Sequence, residues 1–439
     1  MDQTLKRKLN YRILSLISAG LFLAHLDRIN VGFAAPYMSA DLGFSPAVYG
    51  AGASLFFLGY ILFELPSNYA LHRMGAPVWL GRIMITWGIV ACCMAFVVGE
   101  HSFYITRVIL GAAEAGYVPG ALYFLSHWYP AENRTSAVSG TIVAALCAGI
   151  FAGPLAGLLI PIDFLGLHGW QWMFLIEGIP PILLGIVFII YLPRDPAQAH
   201  WLTQKERSFL VDTITSQKLD LSSHMTSHGF SDIFRSPRVW LYGIMFFFLN
   251  LGLWSLVFWM PQLIKERFVG YSAFATSLLS TAPYVLGVVI CLLVGRSADR
   301  TGDRRWHLFV LGTLAGAAAL CSLYLNTPVA SWALLSVGLA CSYSFVTVAQ
   351  PVPATAFRDG ALAAGLAIFN SCGQVGGLVG PYVVGLIRQF TGSFTMAVAL
   401  LACSLIIAGI LPMIFYRAFP RIARGSEEAV VRVPQVTAA

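Results

Sequence analysis

Asp27 and Arg28 sit side by side within the first long apolar run of the chain, Ile13 to Ala35, and Arg107 and Glu114 sit within the fourth. A charge at the centre of a hydrocarbon layer costs about 2.5–3.5 kcal/mol even on insertion scales, so such groups face a protein interior or a wet cavity. Neighbours on a helix point about 100° apart, which makes Asp27 and Arg28 poor partners for each other. Each must look to another helix. Arg107 and Glu114 are seven residues apart; two helical turns put them on one face but about 10 Å apart along the axis, so they too need outside partners. Gly111, Ala112, Ala113, Ala115, Gly116 and Gly120 leave this fourth segment thin enough for a neighbour's close approach. The first segment meeting the fourth would gather two acids and two bases in one dry cluster. A carboxyl whose hydration or pairing changes takes up or gives off a proton. A planar, permanently charged guanidinium suits a carboxylate ligand. The chemistry implied is proton exchange at Asp27 and Glu114, with Arg107 beside them, and capture of an organic anion at Arg28.

Groups of this kind must be held by membrane-crossing elements. Of 439 residues, 58% are hydrophobic and 11% charged, against about 25% charged in soluble domains. Apolar runs of roughly 20 residues, enough to cross about 30 Å of hydrocarbon as a helix, recur along almost the whole length. Twelve are read, among them 13–35, 48–70, 102–126, 136–160, 171–192, 239–262, 360–387 and 394–416. Barrel strands would show short alternating segments, so the expected fold class is an all-α polytopic membrane protein. The net charge of +7 raises the question of nucleic acid, but the cations sort by side. Twenty-two of the 27 Lys and Arg, including Lys6, Arg7, Lys8, Arg12 and the four from Arg296 to Arg305, fall on one face, against Lys265, Arg267 and Arg388 on the other. That bias implies cytoplasmic termini and a bilayer partner, with no nucleic acid. The run after Lys8 is too long for a simple signal-peptide core and contains Asp27 and Arg28, so it reads as a retained first helix. All eight cysteines lie in the runs without a CxxC pair, and no HExxH, GxSxG or phosphate loop is present. Neither a metal, a cofactor nor an enzyme is indicated.

The one long polar stretch, Pro193 to Pro237, divides six runs from six. The expected domains are an N-terminal six-helix bundle over 1–192, a cytoplasmic linker over 193–237, a C-terminal bundle over 238–418 and a tail over 419–439. Within the linker, Thr203 followed by Glu206 forms a capping box opening a short amphipathic helix with Phe209, Leu210 and Ile214 on one side. The halves repeat: Gly149-x-x-x-Gly153-Pro154 reappears as Gly376-x-x-x-Gly380-Pro381, an offset of 227, which also lays His72-Arg73-x-Gly75 on Asp299-Arg300-x-Gly302. By that offset Asp27, Arg28, Arg107 and Glu114 correspond to Trp254, Ser255, Leu334 and Cys341, so the charged machinery belongs to the first half alone. The second half offers neutral groups such as Gln350, Asn370 and Gln374.

The stretch "GRSADRTGDRR", Gly295 to Arg305, matches the G-x-x-x-D-R-x-G-x-R-R loop signature of the major facilitator superfamily at every defined position. Its carboxylate and guanidiniums suit a gate, with Asp299 expected to cap a helix start and pair with an Arg, and Arg300 beside it. The first-half copy, "NYALHRMGAPVW", departs from the signature, which speaks against a symmetrical gate. "LDRINVGFAAPYM", "GYILFELPSN", "RVILGAAEAGYVPG", "GWQWMFLIEGIPP" and "FNSCGQVGGLVGP" extend the resemblance over nearly the whole chain to the anion:cation symporters of that superfamily. The resemblance implies two pseudo-symmetric six-helix bundles, and proton-coupled symport of a small carboxylate by a monomer in the inner membrane of a bacterium. It implies proton coupling at Asp27, Glu114 and Arg107, substrate contact at Arg28, Tyr60, Asn370 and Gln350, and gating at Asp299 and Arg300.

Several residues carry plainer readings. Glu64 and Glu177, beside Pro66 and Pro180, read as structural. His25 reads as a packed polar residue that could titrate. An exporter or antiporter is the alternative within transport, suggested by the Gly-Pro pattern of the fifth run. A non-transporting anion sensor is the alternative outside it, though the linker of about 45 residues is too short for an ordinary signalling domain.

Overall fold

The computed structural model describes residues 1–223, 236–352 and 360–419; the linker from 224 to 235, the loop bearing Arg358 and the tail from 420 lie outside the described residues. The described chain is helical almost throughout, and its one β feature is an isolated bridge between Phe164 and Leu167. The helices of the first half are α1 (Gln3–Leu9), α2 (Ser15–Leu42), α3 (Pro46–Met74), α4 (Ala76–Cys93), α5 (Glu100–Glu114), α6 (Tyr117–Ser126), α7 (Ala131–Leu159) and α8 (Gly169–Tyr191). The linker helix is α9 (Gln204–Ser223). The second half has α10 (Pro237–Arg267), α11 (Ala273–Leu279), α12 (Ala282–Thr301), α13 (Arg304–Cys321), α14 (Pro328–Ala349), α15 (Gly360–Thr391) and α16 (Thr395–Ala418). Among the described residues, nine helical stretches are long and apolar enough to cross a membrane, and the fifth expected run contains a shorter apolar helix, Val143–Leu159.

The fourth expected run is broken in two. α5 stops at Glu114, Ala115 turns extended (ψ 133°) and Gly116 is left-handed (φ 86°) before α6 begins. Pro119 explains the break: its ring would clash with the Ala115 carbonyl four residues back, and it has no N–H to offer it.

Contacts divide the chain into two compact units, one comprising Met1–His224 with Met260–Thr281, the other Met225–Trp259 with Ala282–Ala439. One boundary falls within the linker, between 224 and 225, and a second falls within α10, between Trp259 and Met260. In the first unit α4 packs along α8 and α3 along α5. Gly88 meets the Gly178 carbonyl, and Gly59 and Gly111 meet the carbonyls of Val108 and Phe56, so backbone touches backbone. The second unit repeats the scheme: α13 packs along α16, with Gly312 against Gly409, and α12 along α14. The turns repeat too. Left-handed glycines occur at Gly43 (φ 67°) and Gly270 (φ 87°), and at Gly75 (φ 86°) and Gly302 (φ 68°), each pair at the 227-residue offset found in the sequence.

The linker helix begins with the expected capping box. Glu206 N–H donates to Thr203 Oγ1 at 3.3 Å, and Thr203 N–H to Glu206 Oε2 at 2.9 Å. Leu210 and Ile214 are buried, whereas Phe209 is 41% exposed and so does not share their face. Glu206 is also held by Lys8 Nζ at 2.7 Å, which clasps α9 to α1.

Candidate functional site

α2 is apolar around its whole circumference, so a polar group on it meets either lipid or another helix. Asp27, Arg28 and Asn30 meet helices: they are 2%, 8% and 2% exposed. Arg28 Nη2 donates to Glu114 Oε1. Its guanidinium carbon also lies 5.1 Å from the centre of the Phe56 ring and 5.2 Å from that of Tyr60. Arg107 takes a different partner. Its Nε donates to the Gly52 carbonyl at 3.2 Å and its Nη2 to that of Ala53 at 3.4 Å, while its guanidinium carbon stands 5.0 Å from the same Phe56 ring. One aromatic ring on α3 thus attracts both cations.

The pairing follows from the local folds. Glu114 is the last residue of α5, where the helix end exposes carbonyls and disfavours a second negative charge. Arg28 offsets both. Arg107 and Glu114 are completely buried; because Gly111 lets α5 lie against the α3 backbone, Arg107 reaches the α3 carbonyls of Gly52 and Ala53. The structure therefore brings Asp27, Arg28, Arg107 and Glu114 into one dry cluster, with Arg28–Glu114 as its ion pair. Asp27 feels the charges of Glu114, Arg107 and Arg28 and adjoins the Asn30 amide, though among the described residues neither of its oxygens makes a hydrogen bond of ordinary length and angle.

Tyr60, 2% exposed, belongs to this cluster through Arg28. Asn370 on α15 and Gln350, just beyond α14, belong to the second unit, and both are exposed. Asp299 does not cap a helix start. α12 continues through Thr301, so Asp299 lies inside its last turn, and the cap of α13 is Asp303, whose Oδ1 accepts from Trp306 N–H at 3.3 Å. Asp299 stands 3.9 Å from Arg304, and Arg300 is exposed.

Glu177, read from the sequence only as a structural residue beside Pro180, lies within α8, which runs on through Pro180 and Pro181 as the sixth apolar run implies, and it is 4% exposed. It adjoins Asn30 and feels the charge of Asp27. Phe56 was also missed, since nothing in its type distinguishes it from the other packing aromatics; only its place between two arginines does.

Apolar helices of membrane length around a buried, charged cluster define a class: polytopic helical proteins with a polar path or site inside the membrane. The sequence profile of the Major Facilitator Superfamily matches residues 17–381 and 269–434. The chain is 40% identical over 429 residues to a protein of Agrobacterium vitis named "Putative tartrate transporter", covering 96% of this chain and 93% of that one. It is 35% identical over 416 residues to a quinolone resistance transporter of Acinetobacter baumannii, covering 94% and 95%. It is 32% identical over 386 residues to the inner membrane transport protein RhmT of Escherichia coli K12, covering 87% and 88%. Its fold matches that of the xylose transporter XylE from E. coli in a partially occluded inward-open conformation, with TM-score 0.75 at 16% identity, over 94% of this chain and 98% of that one. The chain belongs to the Major Facilitator Superfamily. It is an integral-membrane transporter, not an enzyme.

Proposed function

We propose that the protein carries a small organic carboxylate together with protons, exposing one site alternately to the two sides of the membrane. The observation that carries this reading is the buried Arg28–Glu114 ion pair. A substrate carboxylate and Glu114 compete for the same guanidinium. Once Glu114 accepts a proton it gives up Arg28, which then takes the substrate, so proton and anion enter together and the cavity stays near neutral. Tyr60 lines the anion's seat, and Asn370 and Gln350 supply neutral contacts. Arg107 sets the field at Asp27, the second acid. Asp299 and Arg300 serve the gate. The name of the Agrobacterium relative makes tartrate the first substrate to try. The protein works as a monomer in the inner membrane of a bacterium, with twelve spans and both termini in the cytoplasm, as its cation distribution supports.

The test is uptake of labelled tartrate, and of a panel of mono- and dicarboxylates, into proteoliposomes with an imposed pH gradient. Acid outside should drive accumulation in the wild type. Glu114→Gln should still exchange labelled for unlabelled substrate but fail to concentrate it. If the Gln variant accumulates substrate as the wild type does, Glu114 is not the coupling acid. Outward antiport is a second reading, favoured by the relative in Acinetobacter baumannii whose name refers to quinolone resistance; extrusion driven by the same gradient would establish it in place of symport.

A further inference from the structure

The arrangement of Glu177 asks for more than packing. Asp27 and Asn30 on α2 and Glu177 on α8 are 2%, 2% and 4% exposed. α2 packs against α8, and the Asn30 amide adjoins both carboxyls. Cys92 on α4 fixes the level independently: it lies 3.7 Å from the Leu175 carbonyl and against Gly178, and it also feels the charge of Asp27. Among the described residues neither acid has a cation paired with it. Arg28 is committed to Glu114, and Arg107 to the carbonyls of Gly52 and Ala53. Among the described residues the polar atoms Asp27 Oδ1 and Oδ2, Asn30 Nδ2 and Oδ1, and Glu177 Oε2 are all buried and make no hydrogen bond of ordinary length and angle, so the three side chains adjoin without closing into a fixed network.

A side-chain amide has one accepting and one donating end. Set between two carboxyls, its N–H₂ donates to an ionised acid, but its oxygen is satisfied only if the other acid carries a proton. With both acids ionised the amide oxygen faces an acceptor, and two neighbouring anions share a dry interior, which they do not do. The charge count agrees. Arg28 and Arg107 balance Asp27 and Glu114, leaving Glu177 as one uncompensated negative charge unless a proton resides with it.

We propose that Asp27 and Glu177 hold a single proton between them, bridged by Asn30, and that this pair is a second proton store separate from Glu114. The pair deepens the proton-coupled reading above and rests on it for its role in transport. The groups acting on Glu177 are Asn30 and Asp27; those acting on Asp27 are Glu114, Arg107, Arg28 and Asn30. When the arrangement around Arg107 changes, the balance within the pair changes, and the proton passes from one carboxyl to the other or leaves.

Infrared spectroscopy of the protein in lipid, in ordinary and heavy water, reads protonated carboxyls directly and needs no substrate. The wild type near neutral pH should show a deuterium-sensitive protonated-carboxyl band that disappears both in Glu177→Gln and in Asp27→Asn. In proteoliposomes, Glu177→Gln should move half-maximal tartrate uptake by at least one pH unit toward acid and lower the protons carried per tartrate by one, while leaving exchange intact. A band unchanged in both variants overturns the pair. Should Glu177→Gln not fold, retention of the band in Asp27→Asn overturns it equally. A wild type that shows the band but no proton-driven accumulation would sink the coupled-transport reading and leave the shared proton standing.

Discussion

Where the first unit has Asp27, Arg28 and Glu177, the second unit, 227 residues further on, has Trp254, Ser255 and Ser404. The two serines are as buried as the charges they replace, at 0% and 4% exposed. They are satisfied on their own helices: Ser255 Oγ donates to the Leu251 carbonyl at 2.6 Å and Ser404 Oγ to that of Leu401 at 2.7 Å. Their counterpart Arg28 in the first unit reaches across instead, donating to Glu114 on α5. Yet both units pack their third helix on their sixth and their second on their fourth, through glycines. The helical plan therefore forms without charge. What the charges add is chemistry, and they add it to one copy only.

The largest departure from that symmetry should come from Arg28→Ala. Leaving Glu114 buried and uncompensated is expected to cost about 3–5 kcal/mol, read as a lowered unfolding midpoint in detergent, together with loss of tartrate binding by thermal shift. The double variant Arg28→Ala/Glu114→Gln should recover most of the stability and none of the binding. If the single variant is as stable as the wild type, the pair is not buried as described. A much smaller effect is expected in the second unit: Ser255→Ala removes one bond to its own helix and should cost about 1 kcal/mol, with transport unchanged. A loss of coupling in that variant would break the contrast between an active and a passive half.

Smallest is the clasp between α1 and α9. The Lys8 ammonium holds Glu206 below the usual carboxylate range, helped by its bonds to Thr203. A depressed acid contributes stability that is complete above its unfolded value, about 4.3, and is lost as the pH falls through its lower folded value. Amide protection at the start of α9, corrected for intrinsic exchange, should accordingly decline only in that acid range, and Lys8→Ala should flatten the decline.

Much of the architecture could be read from the residues alone because it rests on composition. Long apolar runs, a doubled Gly-x-x-x-Gly-Pro and the Thr203–Glu206 box each act locally or by simple repetition. The gathering of Asp27, Arg28, Arg107 and Glu114 was also legible, since four charges in apolar runs have few places to go. Their partners were not. That Arg107 would turn to the carbonyls of Gly52 and Ala53 depends on how closely α3 and α5 approach. The sixth run, 171–192, has both prolines inside it, as α8 does, but Glu177 reads only as structural, because its neighbours on other helices leave no mark in the local sequence. The break after Glu114 carried its signal in Pro119, four residues past Ala115, but a continuous apolar run masked it. Asp299 lost its capping role to Asp303 for a similar reason, the helix before it running two residues further.

The left-handed glycines at Gly43 and Gly270, and at Gly75 and Gly302, mark where both copies turn. Backbone reversals at one spacing in both copies tie the bends to the repeated backbone plan and not to the side chains that differ between the copies. The side chains differ between the copies, ionisable in one and neutral in the other, while the bends stand at the same places in both.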